Sequence, residues 1–379
     1  MKIAILTQGL HFNYGGILQN YALQKVLKDL GHIPITVDRD VNRKYFFCRD
    51  IIILILQKIH FDRIPFVITS KQYLYICKNV FSFIRKYISV THKIHNEKDF
   101  YSTIKKMDFE AFVVGSDQVW RPKYSPNIYN YYLDFVTDTK KERCIAYGVS
   151  FGVDEWEYSK EQAERCRKLV KRFDAISVRE KSGIELCNQY LGVDAKFVLD
   201  PTLLLDREYY IDLITSEKED YCGEDIFYYV LDMNAEKEKF ISEISSLLNL
   251  QAYTIMPQKL NYKTLKSISS CIYPSVTKWL KCFMDAKFIV TDSYHGCVFS
   301  IIFNKPFIAL GNKGRGLDRF KSLLELFNLE NRLVLDGSAR QYKSVIFESI
   351  DWNSVNMIKK NMSDESMSFL KKSLHNERD

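Results

Sequence analysis

Paired cysteines and metal-ligand motifs are missing from this 379-residue chain. Its nine cysteines are scattered, no two of them form a CxxC pair, and their spacing matches no disulfide framework. A zinc site is therefore not expected. An odd number of scattered cysteines also favours a reducing compartment. We expect a cytoplasmic protein without a bound metal.

Long apolar runs are missing as well. The start, MKIAILTQGL, reaches Gln8 too early to contain the apolar core of a signal peptide. The longest aliphatic run, IIILIL at 51–56, is far shorter than the roughly 20 residues of a membrane span. With 46% hydrophobic and 27% charged residues, the composition is that of a soluble globular protein, and the length fits two domains. No transmembrane segment is expected.

Acidic residues are scarce in one segment, 41–95, which has ten basic residues and only two acidic ones. This segment therefore carries a charge of +8, against +7 for the whole chain. Lys71, Lys78 and Arg85 are spaced by seven beside an apolar stripe, which predicts a basic amphipathic helix. Either this helix packs on the first domain with a solvated basic face, or the segment approaches anionic lipid or a lipid-diphosphate acceptor at the inner face of the membrane. Nucleic-acid binding is not expected, because no nucleic-acid module accompanies the charge.

Short apolar strands alternate with helices along the chain. KIAILT, ILQNYALQKVLKDL and IPITV predict a strand, a helix and a strand, with Gly31 just after the helix. The alternation continues to KFVLD, breaks at DPTLLLD around Pro201, and then resumes. We therefore predict two Rossmann-like α/β domains with a cleft between them. The predicted parts are 1–205, 206–340 and a helical tail, 341–379, that can pack back on the first domain.

Polar stretches follow several of the predicted strands, and ligands of open α/β sheets bind beyond the carboxyl ends of strands. In NYGG, residues Asn13, Gly15 and Gly16 precede a helix, whose N-terminal amides attract anions. The stretch lacks the GxGxxG spacing of a dinucleotide-binding loop. A plain tight turn is the alternative interpretation.

Two further stretches contain candidate catalytic residues. In GSDQVWRP, Asp117 can act as a general base or bind a sugar hydroxyl, and Trp120 can stack on a sugar ring. The alternative is a turn that ends a strand, with Trp120 in the core. In SVREKSG, Arg179 follows a strand, where a guanidinium can bind a carboxylate or phosphate with two hydrogen bonds. The alternative is a salt bridge to a neighbouring acid.

The stretch TDSYHG joins the strand KFIV to the apolar segment CVFSIIF, which predicts a buried helix whose N-terminus faces the cleft. Asp292, Ser293 and His295 would then lie at the mouth of the cleft. We predict a catalytic or ligand-binding role for His295 rather than packing. A glycine-rich loop, GNKGRGLDR, supplies a second anion contact or is a mobile solvated loop; its cations are Lys313, Arg315 and Arg319.

Together, these stretches resemble the motifs of the polysaccharide pyruvyl transferase family. The similarity runs from Lys2 to Leu329 and is carried by NYGGILQNYALQ, GSDQVW, SVREKSG, DPTLLL and TDSYHGCVFSIIFNKPFIAL. It implies a GT-B-like fold, with the acceptor on the N-terminal domain and the donor on the C-terminal domain. It also implies a bacterial enzyme of capsule or exopolysaccharide biosynthesis that transfers the enolpyruvyl group of phosphoenolpyruvate to a sugar, releases phosphate and forms a pyruvate ketal. No cofactor besides this co-substrate is implied.

The family's histidine falls on His295 and its arginine on Arg179. Ketal formation needs a proton on the methylene carbon of the donor and a base for the sugar hydroxyls. We expect His295 to bind the donor and donate the proton, and Asp117, or else Asp292, to be the base. The expected substrate-binding residues are Asn13, Gly15, Gly16, Gln19, Ser116, Trp120, Asp292, Ser293, Tyr294, Gly296, Lys313 and Arg315. A GT-B glycosyltransferase that uses a nucleotide sugar and a non-catalytic glycan-binding protein are the rival interpretations.

Overall fold

The structure of the protein is a computed structural model. It describes residues 1–39, 51–54, 57, 66–139, 141–311, 316–335 and 342–375.

The first part of the chain forms a sheet of six parallel strands. The strands are β1 (Lys2–Leu6), β2 (Ile33–Thr36), β3 (Ala111–Val114), β4 (Arg143–Val149), β5 (Ala175–Val178) and β6 (Lys196–Phe197). Their order in the sheet is β2–β1–β3–β4–β5–β6. The helices of this part are α1 (Tyr14–Asp29), α2 (Ser70–Ile76), α3 (Lys78–Tyr87), α4 (Glu97–Met107), α5 (Lys160–Val170) and α6 (Lys181–Leu186). Shorter helical turns are Ile128–Tyr132, Cys187–Leu191 and Pro201–Leu203.

The second part forms a sheet of five parallel strands. The strands are β7 (Ile226–Tyr229), β8 (Ala252–Tyr253), β9 (Phe288–Thr291), β10 (Phe307–Leu310) and β11 (Leu333–Val334), in the order β11–β10–β9–β7–β8. The helices are α7 (Arg207–Ser216), α8 (Ala235–Leu248), α9 (Val276–Asp285), α10 (Tyr294–Ile302), α11 (Leu317–Leu326), α12 (Tyr342–Val345) and α13 (Trp352–His375). Shorter turns are Leu265–Cys271 and Glu330–Arg332.

Both sheets are parallel and covered by helices, which confirms the predicted α/β class. The strand order reverses between β1 and β3 in the first sheet and between β7 and β9 in the second. Loops diverge at such points and leave a crevice beyond the strand ends, where ligands of this fold class bind. The loops after β1, β3, β7 and β9 therefore border the expected ligand site.

The basic segment contributes α2 and α3, which form two helices in place of the single one predicted. Lys71, Lys78 and Arg85 are exposed, and the apolar stripe is largely buried. The Tyr273 amide donates to the Ile76 carbonyl at 2.8 Å, so these helices also contact the second domain. Residues 40–50, 55–56 and 58–65 of the chain lie outside the described residues. No helix in the described ranges is long and apolar enough to cross a membrane.

The C-terminal helix α13 lies against the first domain. The Ser366 hydroxyl accepts a hydrogen bond from the Leu199 amide at 3.0 Å. The ring of Phe369 lies 6.4 Å from that of Tyr147 on β4. The last helix of the chain thus covers strands of the first sheet.

Candidate active site in the interdomain cleft

A cavity of about 520 Å³ lies between the two domains at the ends of the strands. The loops after β1 and β3 contribute His11 and Asp117 to its lining, and those after β7 and β9 contribute Leu231 and His295. Arg319 on α11 completes one side. A volume of this size is in the range of small-ligand sites. The two strand-order reversals therefore meet at one cleft.

His295 lies in the first turn of α10, whose residues are all buried. Its side chain lines the cavity, yet the residue is only 6% exposed. Nε2 lies 3.6 Å from Oδ2 of Asp200, within ion-pair distance but too far for a hydrogen bond. Nε2 has no hydrogen-bond partner among the described residues. A buried polar atom without a hydrogen-bond partner is costly, and the nearby Asp200 carboxylate is the charge that offsets this cost.

Gly15 of α1 packs directly against the His295 ring. A Cβ at position 15 would overlap Nδ1 and Cγ of His295. The backbone φ of Gly15 is not unusual, so its conformation does not require a glycine. The close packing between the two domains is what requires it. The contact fixes the imidazole from the side of the first domain.

Arg179 is fully buried behind the cleft wall and is surrounded by acidic groups. Its Nη1 donates to Asp200 at 2.6 Å, and its Nη2 donates to Asp117 at 3.2 Å. Burial by itself would lower the pKa of the guanidinium, but Asp200 and Asp117 outweigh burial and raise it. The arginine therefore joins carboxylates from the loops after β3 and β6.

Asp200 connects this ion pair to His295. Its Oδ1 accepts hydrogen bonds from the Thr202 amide at 3.1 Å and the Thr202 hydroxyl at 2.7 Å. Burial acts to raise the pKa of this carboxyl, but His295 and Arg179 outweigh burial and hold the pKa well below its usual range. Asp200 therefore stays ionised next to the His295 ring.

A comparison with known protein families shows which family the chain belongs to. The sequence model of the polysaccharide pyruvyl transferase family matches residues 13–314, which include Asp117, Arg179, Asp200 and His295. The chain belongs to the polysaccharide pyruvyl transferase family. No curated protein sequence matches the chain significantly.

Solved structures with a similar fold include a UDP-GlcNAc 2-epimerase and a TarM variant. The UDP-GlcNAc 2-epimerase of Neisseria meningitidis bound to UDP-GlcNAc is 11% identical, with a TM-score of 0.52 over 99% of this chain and 99% of that chain. The S. aureus TarM variant in complex with fondaparinux, α-GlcNAc-glycerol and UDP is 12% identical, with a TM-score of 0.50 over 98% of this chain and 99% of that chain. At such identities the similarity concerns the fold alone. It confirms the predicted GT-B-like, two-domain architecture of this pyruvyl transferase family member.

Half of the predicted site residues that the structure describes line the cleft. Those that line the cavity are Asn13, Asp117, Asp292, Ser293, Tyr294, His295 and Arg319. Asp292 lies at its edge with both carboxylate oxygens occupied: the Leu231 and Asp232 amides donate at 2.6 and 3.1 Å, and Lys237 Nζ donates at 2.7 Å. Asp292 therefore positions the loop after β7, which makes it a poorer candidate base than Asp117.

Two predictions about larger side chains are wrong. Trp120 is fully buried, stacks on Tyr132 at 4.7 Å and donates from its indole to the Tyr131 carbonyl at 2.9 Å. It belongs to the core of the first domain and cannot contact a sugar. Arg179 does not line the cavity either, because its ion pairs hold it behind the wall. Its predicted contact with the substrate is replaced by a positioning role.

The glycines and small polar residues also differ from the prediction. Helix α1 begins at Tyr14, because the Asn13 side chain accepts from the Gly16 amide at 3.3 Å. Gly15 and Gly16 are thus helical, and the Gly16 amide donates to the capping Asn13 side chain instead of binding an anion. Gly296 packs α10 against Thr291.

Gln19 and Ser116 are also buried structural residues. Gln19 accepts from the Ser116 amide at 3.1 Å and donates to the Thr7 hydroxyl at 2.9 Å. Ser116 donates to the Gly148 carbonyl at 3.1 Å. These bonds hold the Gln19 and Ser116 side chains behind the cleft rather than in it. Lys313 and Arg315 lie outside the described residues.

Asp200 is the important residue that the sequence analysis missed. It is the last residue of the predicted strand KFVLD and directly precedes Pro201, in a stretch that the sequence pattern indicated as a domain boundary. The signal that pointed to Arg179, a charged residue just beyond a predicted strand, applied equally to Asp200. Only the structure shows that the two charges pair.

We expect Arg179→Met to lower the free energy of unfolding by about 3–5 kcal/mol, because it leaves the buried carboxylates of Asp117 and Asp200 uncompensated. Urea unfolding followed by circular dichroism measures this change. The control is Arg207→Met, which removes an exposed pair with Glu208 and should cost no more than about 1 kcal/mol. Equal effects of the two substitutions would contradict the structural role of Arg179.

We expect Gly15→Ala to displace the His295 ring, because the new methyl group overlaps it. The side-chain nitrogen resonances of His295 in an NMR spectrum should shift. Gly16→Ala is the matched control in the same helical turn, where the nearest atom, Asn13 Nδ2, is 3.2 Å from the added Cβ. An unchanged His295 signal in Gly15→Ala would show that the ring is not fixed by this contact.

Proposed function

We propose that this protein transfers the pyruvyl group of phosphoenolpyruvate to hydroxyls of a glycan, forms a pyruvate ketal and releases phosphate. Family membership supports a transferase that acts on a polysaccharide. The observation that carries the specific proposal is His295, a buried imidazole that lines the cleft and whose Nε2 lies 3.6 Å from the Asp200 carboxylate. Such a pair can hold a proton close to a bound anion.

Arg319 is the described residue best suited to bind the donor. It lines the cavity, and its guanidinium lies 5.6 Å from the Tyr294 ring. Burial and the nearby Arg179 lower the pKa of Arg319, yet an arginine stays protonated at neutral pH. A largely desolvated cation attracts a carboxylate or phosphate more strongly than one in water. Lys313 and Arg315, which precede Arg319 in the sequence, are proposed to add to this contact.

In the proposed reaction, His295 donates a proton to the methylene carbon of phosphoenolpyruvate, and positive charge develops at C2. A first sugar oxygen forms a bond to C2 and gives up its proton. The bond between C2 and the phosphate oxygen then breaks, and the phosphate leaves with that electron pair, which restores the positive charge at C2. A second sugar oxygen forms a bond to C2 and gives up its proton, so that a pyruvate ketal results. Asp117 is the proposed base and would act through Oδ2, because its Oδ1 accepts from the Gln118 amide and from Arg179.

The reaction is tested by incubating the protein with phosphoenolpyruvate and galactose-containing glycans and measuring released phosphate. In deuterated water the ketal methyl should gain one deuterium, which NMR detects. His295→Ala should lower the rate at least about a hundredfold, the usual contribution of acid–base catalysis. His92→Ala, which changes an exposed histidine paired with Asp99, should keep the wild-type rate.

Two outcomes would contradict the proposal. If His295→Ala keeps more than about a tenth of the rate, His295 is not the acid. If phosphoenolpyruvate is not consumed but UDP is released from UDP-GlcNAc in the presence of glycans, the protein is a nucleotide-sugar glycosyltransferase. Binding of glycans without either reaction would favour a non-catalytic glycan-binding protein.

We further propose that α2, α3 and residues 51–54 contact anionic lipid, so that the glycan acceptor is a lipid-linked precursor. Lys71 and Lys78 are exposed next to Leu74, which is 55% exposed, and Tyr75. Ile51, Ile52 and Leu54 are exposed in the same segment. Aliphatic side chains exposed among lysines are typical of a helix at a membrane interface.

The same segment also reaches the cleft. The Tyr73 hydroxyl on α2 lies within hydrogen-bond distance of His11 Nδ1, at 3.2 Å, and His11 lines the cavity. A lipid held at α2 would therefore place its head group next to the cleft entrance. This connection supports a lipid-linked acceptor over a free polymer.

Vesicle flotation tests the lipid contact. The protein should float with phosphatidylcholine vesicles that contain phosphatidylglycerol and not with phosphatidylcholine alone. Lys71→Glu combined with Lys78→Glu should weaken binding at least tenfold, because each lysine near the surface contributes about 1 kcal/mol. Lys360→Glu with Lys371→Glu, two exposed lysines of α13, is the control. Equal binding to both vesicle types, or equal loss in the control, would contradict the proposal.

A further inference from the structure

Two aromatic rings in the cleft are exposed while the others there are buried. Phe12 is 43% exposed and Tyr124 is 38% exposed, and both line the cavity that contains His295. Tyr294 and Phe320, which also line it, are buried. Neither exposed ring takes part in donor binding or proton transfer as described above. Their exposure in a ligand cavity therefore needs its own explanation.

Phe12 is held in place from behind. Its ring stacks on Tyr273 of the second domain, with centroids 5.0 Å apart and planes at 25°. The Tyr273 backbone is fixed on both sides, since its amide donates to Ile76 at 2.8 Å and its carbonyl accepts from Asn79 at 2.9 Å. One face of Phe12 is thus covered by a well-supported neighbour, and the opposite face is left for a ligand.

The Tyr124 ring is also supported on one face, in this case by a cation instead of a second aromatic ring. The Arg121 guanidinium lies 4.7 Å from the centre of its ring, a cation–π contact. Arg121 is itself held by Glu157 through two hydrogen bonds of 2.8 Å. The Tyr124 ring therefore also has one occupied face and one available face. Ordered rings lose little entropy when they bind a ligand.

The chemistry of this part of the cleft fits a sugar ring. Phosphoenolpyruvate is a small donor with a carboxylate and a phosphate, so it needs cations and gains little from aromatic faces. A pyranose has C–H groups on its faces, which pack on aromatic rings, and hydroxyls at its rim, which need amide and charged partners. Gln8, Gln118 and Lys123 line the same cavity and supply such groups. The cavity thus combines an anion-binding part with an aromatic, amide-rich part.

We propose that Phe12 and Tyr124 form the acceptor subsite and stack on sugar rings of the glycan that His295 acts on. This inference rests on the proposed function and assigns the acceptor to the loops after β1 and β3, whereas the donor contacts Arg319. It makes these two residues determinants of acceptor affinity and specificity, without a part in the chemical step.

Steady-state kinetics with the variants Phe12→Ala and Tyr124→Ala test the subsite. Each should raise KM for the glycan by roughly tenfold, the upper value for loss of one aromatic contact. KM for phosphoenolpyruvate should stay within about twofold of the wild-type value, a difference too small for a lost aromatic contact. Phe12→Trp and Tyr124→Phe keep an aromatic face and should retain most of the affinity. The controls are Phe347→Ala and Tyr221→Ala, which remove exposed rings outside the cavity.

Binding to an immobilised glycan array separates this inference from the proposed reaction. If the wild type binds glycans and Phe12→Ala and Tyr124→Ala lose that binding, the subsite is supported even when no pyruvyl transfer is detected. If the wild type binds no glycan, or if the two variants bind as well as the controls, the inference is overturned. An equal rise of both KM values would overturn it as well, because the rings would then not be specific to the acceptor.

Discussion

The buried positive charge of Arg179 is the constraint on which the rest of the site depends. A guanidinium without water must be neutralised, and here the Asp117 and Asp200 carboxylates do so from loops that follow two other strands of the same sheet. The strand ends are thereby held together. Asp200 also faces His295, which belongs to the second domain. Arg179, which does not line the cleft, therefore helps through Asp200 to orient the His295 imidazole, which does line it.

Contacts between the two domains also hold the residues of the cleft in place. Gly15 allows α1 to approach α10 so closely that the His295 ring lies against the helix backbone. On the acceptor side, Tyr273 of the second domain supports Phe12 of the first and also bonds to the basic segment at Ile76. The donor part, the proposed acceptor part and the proposed lipid-binding surface are therefore connected through direct contacts. A glycan and its lipid carrier can be bound by one continuous surface.

The fold alone does not decide the reaction. Enzymes with a similar two-domain fold, at 11% and 12% identity, include a UDP-GlcNAc 2-epimerase and a TarM solved with UDP. In α/β folds that serve many reactions, the reaction depends on the side chains beyond the strand ends. In this family member those side chains are a carboxylate-backed histidine, an arginine in the cleft and two exposed rings.

The sequence by itself determined the class of fold, the family and the position of His295. Short apolar strands alternating with helices leave few alternatives to parallel sheets, and the apolar segment after TDSYHG required a buried helix that begins at the cleft. Only the tertiary structure decided which polar residues face the ligand. Trp120 and Arg179 follow strands just as Asp117 and His295 do, but packing buries the first and ion pairs hold the second behind the wall. The roles of Asp200 and Phe12 depend on contacts with His295 and Tyr273, which are far away in the sequence. Such contacts produce no local sequence pattern from which they could be predicted.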